Sequence, residues 1–166
     1  MAYFGGYTDL MATAAVKDWG AVDSIEVMIG FDHWHPTQGT RNTIARNSGR
    51  NRMMVSGGRL TEMSSSSPAQ KNWIFAEPIG KQTVIELPFA EILLISRHLK
   101  TVELHTYLSQ IAVSEVLDPA TPPPKAIDAK GRSAQNFVVE VIVVRGNELR
   151  SVISRGRDGY AVTAPL

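Results

Sequence analysis

One stretch limits the fold more than any other. Phe137-Val138-Val139-Glu140-Val141-Ile142-Val143-Val144 is rich in β-branched residues and apolar on both faces of a period-two chain, and Arg145-Gly146-Asn147-Glu148 turns it back into a partner strand, Leu149 to Ser154. Such a strand belongs inside a sheet, with helices over one face and a second apolar cover over the other. A subunit or a further domain is the expected second cover.

The rest of the chain fits around that hairpin. Thr8-Asp9 offers a cap for an alanine-rich helix, Leu10 to Trp19, stopped by Gly20, and Ile25, Val27 and Ile29 alternate with Ser24, Glu26 and Met28 in a strand from Val22 to Phe31. His35-Pro36-Thr37 opens a helix that runs to about Gly49, with Thr37 or Thr40 as cap. Arg52 to Val55 and Gly58 to Thr61 follow as a strand pair or one bulged strand, and Trp73 to Ala76 pairs with Gln82 to Leu87, with the polar loop Ser64 to Pro68 between the two units. Ala90 to His98 reads as a short helix and Thr101 to Tyr107 as a strand. Four prolines between Asp118 and Lys125 favour an extended connection. Hairpin-length turns outnumber helical crossovers, so the expected class is α+β: a mixed, largely antiparallel sheet with helices packed on one face. At 166 residues this is a single domain that buries roughly 70% of its unfolded surface.

Composition excludes more than it identifies. The formal charge of +1 comes from 17 basic and 16 acidic side chains, with one local cluster at Arg41, Arg46, Arg50 and Arg52, so no nucleic-acid partner is expected. No run approaches the ~20 apolar residues that span a bilayer, and the N-terminus lacks the pattern of a signal peptide, so no membrane partner is expected. The absence of cysteine removes disulfides and thiolate metal sites and is compatible with a cytoplasmic location.

Phosphate-binding glycine motifs are missing: neither G-x-G-x-x-G nor G-x-x-x-x-G-K-[ST] occurs, and H-E-x-x-H and G-x-S-x-G are absent too. The densest chemical set is Asp32-His33-Trp34-His35-Pro36, where a strand hands over to a helix. His33 and His35 would share one side of an extended chain, but a metal would need a third ligand, with Asp32 or His105 the available choices. The readings without metal are an ordinary capped turn and a pocket wall, in which Trp34, His35, Thr37 and Thr40 bound a site beside a helix N-terminus suited to carboxylates. Arg97, which with His98 closes a short helix whose negative end their charge complements, and Tyr160 are added as further substrate-binding candidates. No catalytic residue is assigned. Glu103 and His105, two apart on a strand, are read as a hydrogen-bonded surface pair, and Trp19, Trp73 and Phe137 as core or interface residues.

Three motifs carry a resemblance: Gly5-Gly6-Tyr7-Thr8-Asp9-Leu10, the stretch Trp34 to Thr40, and GRDGYAVTAP (156 to 165). Together they resemble the saccharopine dehydrogenase-like (saccharopine reductase) oxidoreductases, with Gly159 where many relatives have proline. The resemblance implies the second domain of such an enzyme, which shapes the substrate site and mediates dimerisation, while a Rossmann domain outside residues 1–166 binds NAD or NADP. It implies a fragment of a longer chain, inactive alone, that binds no cofactor itself. A GRDG turn followed by the opening of an apolar helix, with Leu166 ending the sequence, carries the same expectation of truncation. The alternative reading is a stand-alone small-ligand-binding or dimerisation module without catalysis.

Overall fold

The computed structural model describes residues 3–63 and 68–163. Among these residues eight strands form one sheet: β1 (Ala21–Phe31), β2 (Met53–Ser56), β3 (Arg59–Glu62), β4 (Gln70–Ile74), β5 (Lys81–Glu86), β6 (Lys100–Ser109), β7 (Asn136–Arg145) and β8 (Glu148–Arg157). The main path is β3-β2-β6-β1-β7-β8, and the β4–β5 hairpin joins the same edge of β6 as β2 does, further along the strand. Among the described residues β1 and β6 pair in parallel, and every other pairing is antiparallel. Helices α1 (Thr8–Val16), α2 (Gln38–Asn47), α3 (Glu91–Ile95) and α4 (Gln110–Leu117) complete the α+β fold.

Alternation sorts the side chains of the central strands onto two faces. Ile25, Val27, Ile29 and Phe31 of β1, Leu104 and Leu108 of β6, and Phe137, Val139, Val141 and Val143 of β7 share the core beneath the helices. The opposite face carries Met28, Tyr107, Val138 and Ile142, and its cover comes from the chain itself. Lys71, Trp73 and Phe75, two residues apart along the β4 arm, all reach down onto it. The Lys71 ammonium binds Glu26 at 2.7 Å and lies 4.1 Å from the Tyr107 ring centre, while the Trp73 indole donates to Glu140 at 3.1 Å. Phe75 lies on Gly30, where a Cβ would stand 3.0 Å from three ring carbons. The second cover over Phe137 to Val144, expected from a subunit or a further domain, is instead in large part the chain's own β4–β5 hairpin.

Local differences from the sequence reading have local causes. Thr8 and Asp9 do not cap α1, because a π-helical turn, Tyr3–Tyr7, runs straight into it and the Thr8 hydroxyl donates to the Gly5 carbonyl at 3.0 Å. Packing drives this extension: the Phe4 ring stacks on Phe89, with centres 4.4 Å apart, and touches Trp34 at 5.3 Å. At its other end α1 stops at Lys17, with φ 50°, three residues before Gly20. Thr37 caps α2 as expected, accepting from the Thr40 amide at 3.2 Å. α3 spans Glu91–Ile95, and β8 continues to Arg157, in register with Asn136. α4 was not foreseen at all. The polar loop at 64–67 and the continuation of the last helix beyond 163 lie outside the described residues; Ala161–Thr163 form a 3₁₀ turn. Among the described residues no helix is long and apolar enough to cross a membrane.

Candidate functional site

A cavity of about 600 Å³ opens on the helical side, between the segment after β1, α2, α4 and the end of β8. Its walls are mostly apolar: Phe4, Phe31, Leu87, Phe89, Leu108, Val113, Val116 and Leu117 take part. Among its polar residues, which include Thr43, Arg52 and Gln135, four meet on one side: Trp34, Thr37, Thr40 and Tyr160. The Tyr160 hydroxyl accepts from the Trp34 indole at 2.8 Å and from the Thr37 amide at 3.2 Å, and it lies 2.9 Å from the Thr40 hydroxyl. Four of the six residues chosen from the sequence thus share one hydrogen-bonded wall.

Asp158 holds Tyr160 there. Its backbone takes the left-handed conformation, φ 61°, which aspartate tolerates better than most side chains. Its buried carboxylate accepts from the amides of Ser133, Tyr160 and Ala161, and its own amide donates to the Gln135 carbonyl at 2.7 Å. The GRDGY stretch is consequently a strand end and a carboxylate-pinned corner, followed by a pocket residue.

His35 and Arg97 do not join this wall. The segment after β1 is extended, so Trp34 faces the cavity while its neighbours fall on the other side. There the His33 and His35 ring centres are 5.9 Å apart, and His33 Nδ1 is 2.8 Å from Glu115 of α4, a hydrogen bond that raises the imidazole's pKa against the opposing effect of burial. Arg97 follows α3 on the exposed surface, away from the cavity. His105 and Glu103 do face one another, 3.4 Å apart, but the shorter partner of His105 is Glu86 at 2.6 Å; this bond dominates in raising the His105 pKa.

Two residues that the sequence reading passed over matter to the cavity's electrostatics. Arg52 lies on its wall, with its guanidinium donating to the Pro88 carbonyl at 2.7 Å and set 5.4 Å over the Phe89 ring. Burial lowers its pKa from the ordinary arginine value, yet a guanidinium stays cationic at neutral pH. Glu91 is wholly buried behind the wall, where one carboxylate oxygen accepts from the Phe89 amide and the Thr106 hydroxyl at 2.9 and 2.7 Å. Desolvation pushes its pKa up to about 7. In the sequence Arg52 begins a strand and belongs to the local arginine cluster; the fold sets its guanidinium over Phe89 and against the Pro88 carbonyl. The arrangement can hold a small amphipathic molecule, with an apolar body in the cavity and an anionic group near Arg52.

No protein-family model matches the chain, and the search of curated proteins likewise gives no match.

Proposed function

We propose that this chain is a substrate-binding and dimerisation domain of a saccharopine dehydrogenase-like NAD(P)-dependent oxidoreductase, and that the cavity beside Tyr160 is its substrate site. The observation that carries the proposal is the coincidence of motif and cavity. GRDGY, the most specific part of the family resemblance, ends in the hydroxyl that organises Trp34, Thr37 and Thr40. The expected substrate is a small molecule with an apolar body and a carboxylate or similar anion directed to Arg52. In this reading NAD or NADP is held by a Rossmann domain outside residues 1–166, the protein is cytoplasmic, and the domain contributes positioning rather than redox chemistry.

The homodimer belongs to the same proposal. β8 ends the main strand path, and Leu149 and Ile153, 64% and 50% exposed, lie on the hairpin-side face outside the β4–β5 cover. A second copy laid along this face would bury both.

The test is to express the complete reading frame around these residues and compare it with the 166-residue chain in thermal unfolding, with NADH and NADPH. Stabilisation of the complete protein by one cofactor, and none of the 166-residue chain, is the expected result. A reading frame that begins at Met1, or a longer protein indifferent to both cofactors, would contradict the oxidoreductase reading.

A further inference from the structure

Outside the cavity wall, one cluster has the composition and spacing of a metal site. His33, His35 and Glu115 each present one ligand atom, and all three atoms lie within 4.8 Å of one another. We infer that these three side chains form a binding site for a divalent first-row transition ion of the Zn²⁺ class. The donor set, two imidazoles and one carboxylate, suits such ions and leaves at least one coordination position to solvent.

The argument rests on how the cluster is built. His33 and His35 project to the same side of an extended segment because they are two residues apart. The backbone carrying them is held at three consecutive amides: His33 donates to Asp32 Oδ1 at 2.7 Å, Trp34 to Glu115 Oε2 at 2.5 Å, and His35 to Gln135 Oε1 at 2.5 Å. Asp32, the nearer of the two ligands considered from the sequence, is occupied: it also accepts from the Asn136 amide and side chain at 2.8 and 2.6 Å. His105 is equally committed, to Glu86 and Glu103. Glu115 takes the third place instead, from an unforeseen helix.

The distances suit a metal after small adjustment. With bonds of about 2.1 Å at tetrahedral angles, two ligand atoms stand roughly 3.4 Å apart. His33 Nδ1 and Glu115 Oε1, at 2.8 Å, are already closer than that. The remaining separations need to shrink by about 1.4 Å at most, which is within the reach of side-chain rotation. Glu115 keeps its second oxygen on the Trp34 amide, the kind of fixed support that metal-ligating carboxylates use.

Such an ion would join the segment after β1 to α4. Trp34 and the α4 residues Val113, Val116 and Leu117 line the cavity, so the metal would tie together two of its walls from outside. It is therefore a clamp on the cavity, not a group inside it.

Calorimetric titration of tag-free, chelator-treated protein with Zn²⁺, with Co²⁺ as a spectroscopic probe, tests this directly. One equivalent is expected to bind. H35N and E115Q should each weaken it at least about tenfold, and H33N/H35N should abolish it, while H98N and H105N leave it unchanged. E115Q retains an oxygen for the Trp34 amide, and circular dichroism of each variant separates ligand loss from unfolding. Absence of saturable one-to-one binding to the wild type, or undiminished binding by folded E115Q and H33N/H35N, would overturn the assignment.

Discussion

At the scale of single residues, Glu91 and Tyr160 make the most definite predictions. The Glu91 carboxyl titrates near 4.5 in an unfolded chain and at about 7 in the fold, where burial outweighs the Thr106 and Phe89 hydrogen bonds and the distant Arg52 charge. Between those values the folded state keeps a proton that the unfolded chain has released, so stability falls as pH rises, by about 3 kcal/mol over the window. His105 acts in the same direction: its pKa is raised above 6.5, so its contribution is full below 6.5 and is lost as pH climbs through the folded value. Urea unfolding from pH 5 to 8 should therefore show declining stability, and E91Q should remove most of the decline below pH 7. An unchanged slope in E91Q would mean that Glu91 is ionised in the fold. For Tyr160, Y160F withdraws the oxygen shared by Trp34, Thr37 and Thr40, at a cost of about 1–3 kcal/mol in the same assay.

At the scale of elements, the β4–β5 hairpin shows what alternation conveys and what it hides. Trp73 to Ala76 was readable as strand, yet the downward row Lys71, Trp73, Phe75 has meaning only once Gly30, Glu26 and Glu140 are known to lie below it. G30A places a methyl against the Phe75 ring and should cost about 1–3 kcal/mol by forcing the hairpin outward. Near-UV circular dichroism should register the displaced Trp73, whereas a neutral G30A with an unchanged spectrum would show that the Phe75 ring gives way without moving the hairpin. The long apolar strands were legible because β-branched runs and a Gly-Asn turn act locally. α4 was not. Gln110 to Leu117 is short, has no capping side-chain hydrogen bond and follows a strand without a break, so its helix depends on packing Ala112 and Val116 into the core. Since α4 supplies Glu115 and one cavity wall, the site was only half visible: Trp34, Thr37, Thr40 and Tyr160 could be chosen from motifs, while Arg52, Glu91 and Glu115 enter through pairings distant in sequence.

At the scale of the whole molecule, the proposal assigns partners to two surfaces: the cavity mouth and the hairpin-side face of β8. If that face joins two copies, light scattering should report a dimer, and I153K should shift it to monomer without lowering thermal stability. A monomeric wild type would remove dimerisation from the proposal. The central claim concerns the cavity, whose apolar walls and the Arg52 guanidinium beside them call for an amphipathic anion. Trp34 is a built-in reporter, since its indole lies in the wall. The most direct test is a tryptophan-fluorescence titration with decanoate, compared with decanol, in the wild type, W34F and R52Q. The account predicts saturable binding of decanoate in the wild type, a signal lost in W34F, and affinity reduced about tenfold or more in R52Q with little change for decanol. Decanoate binding that is absent, or equal in wild type and R52Q, would contradict it.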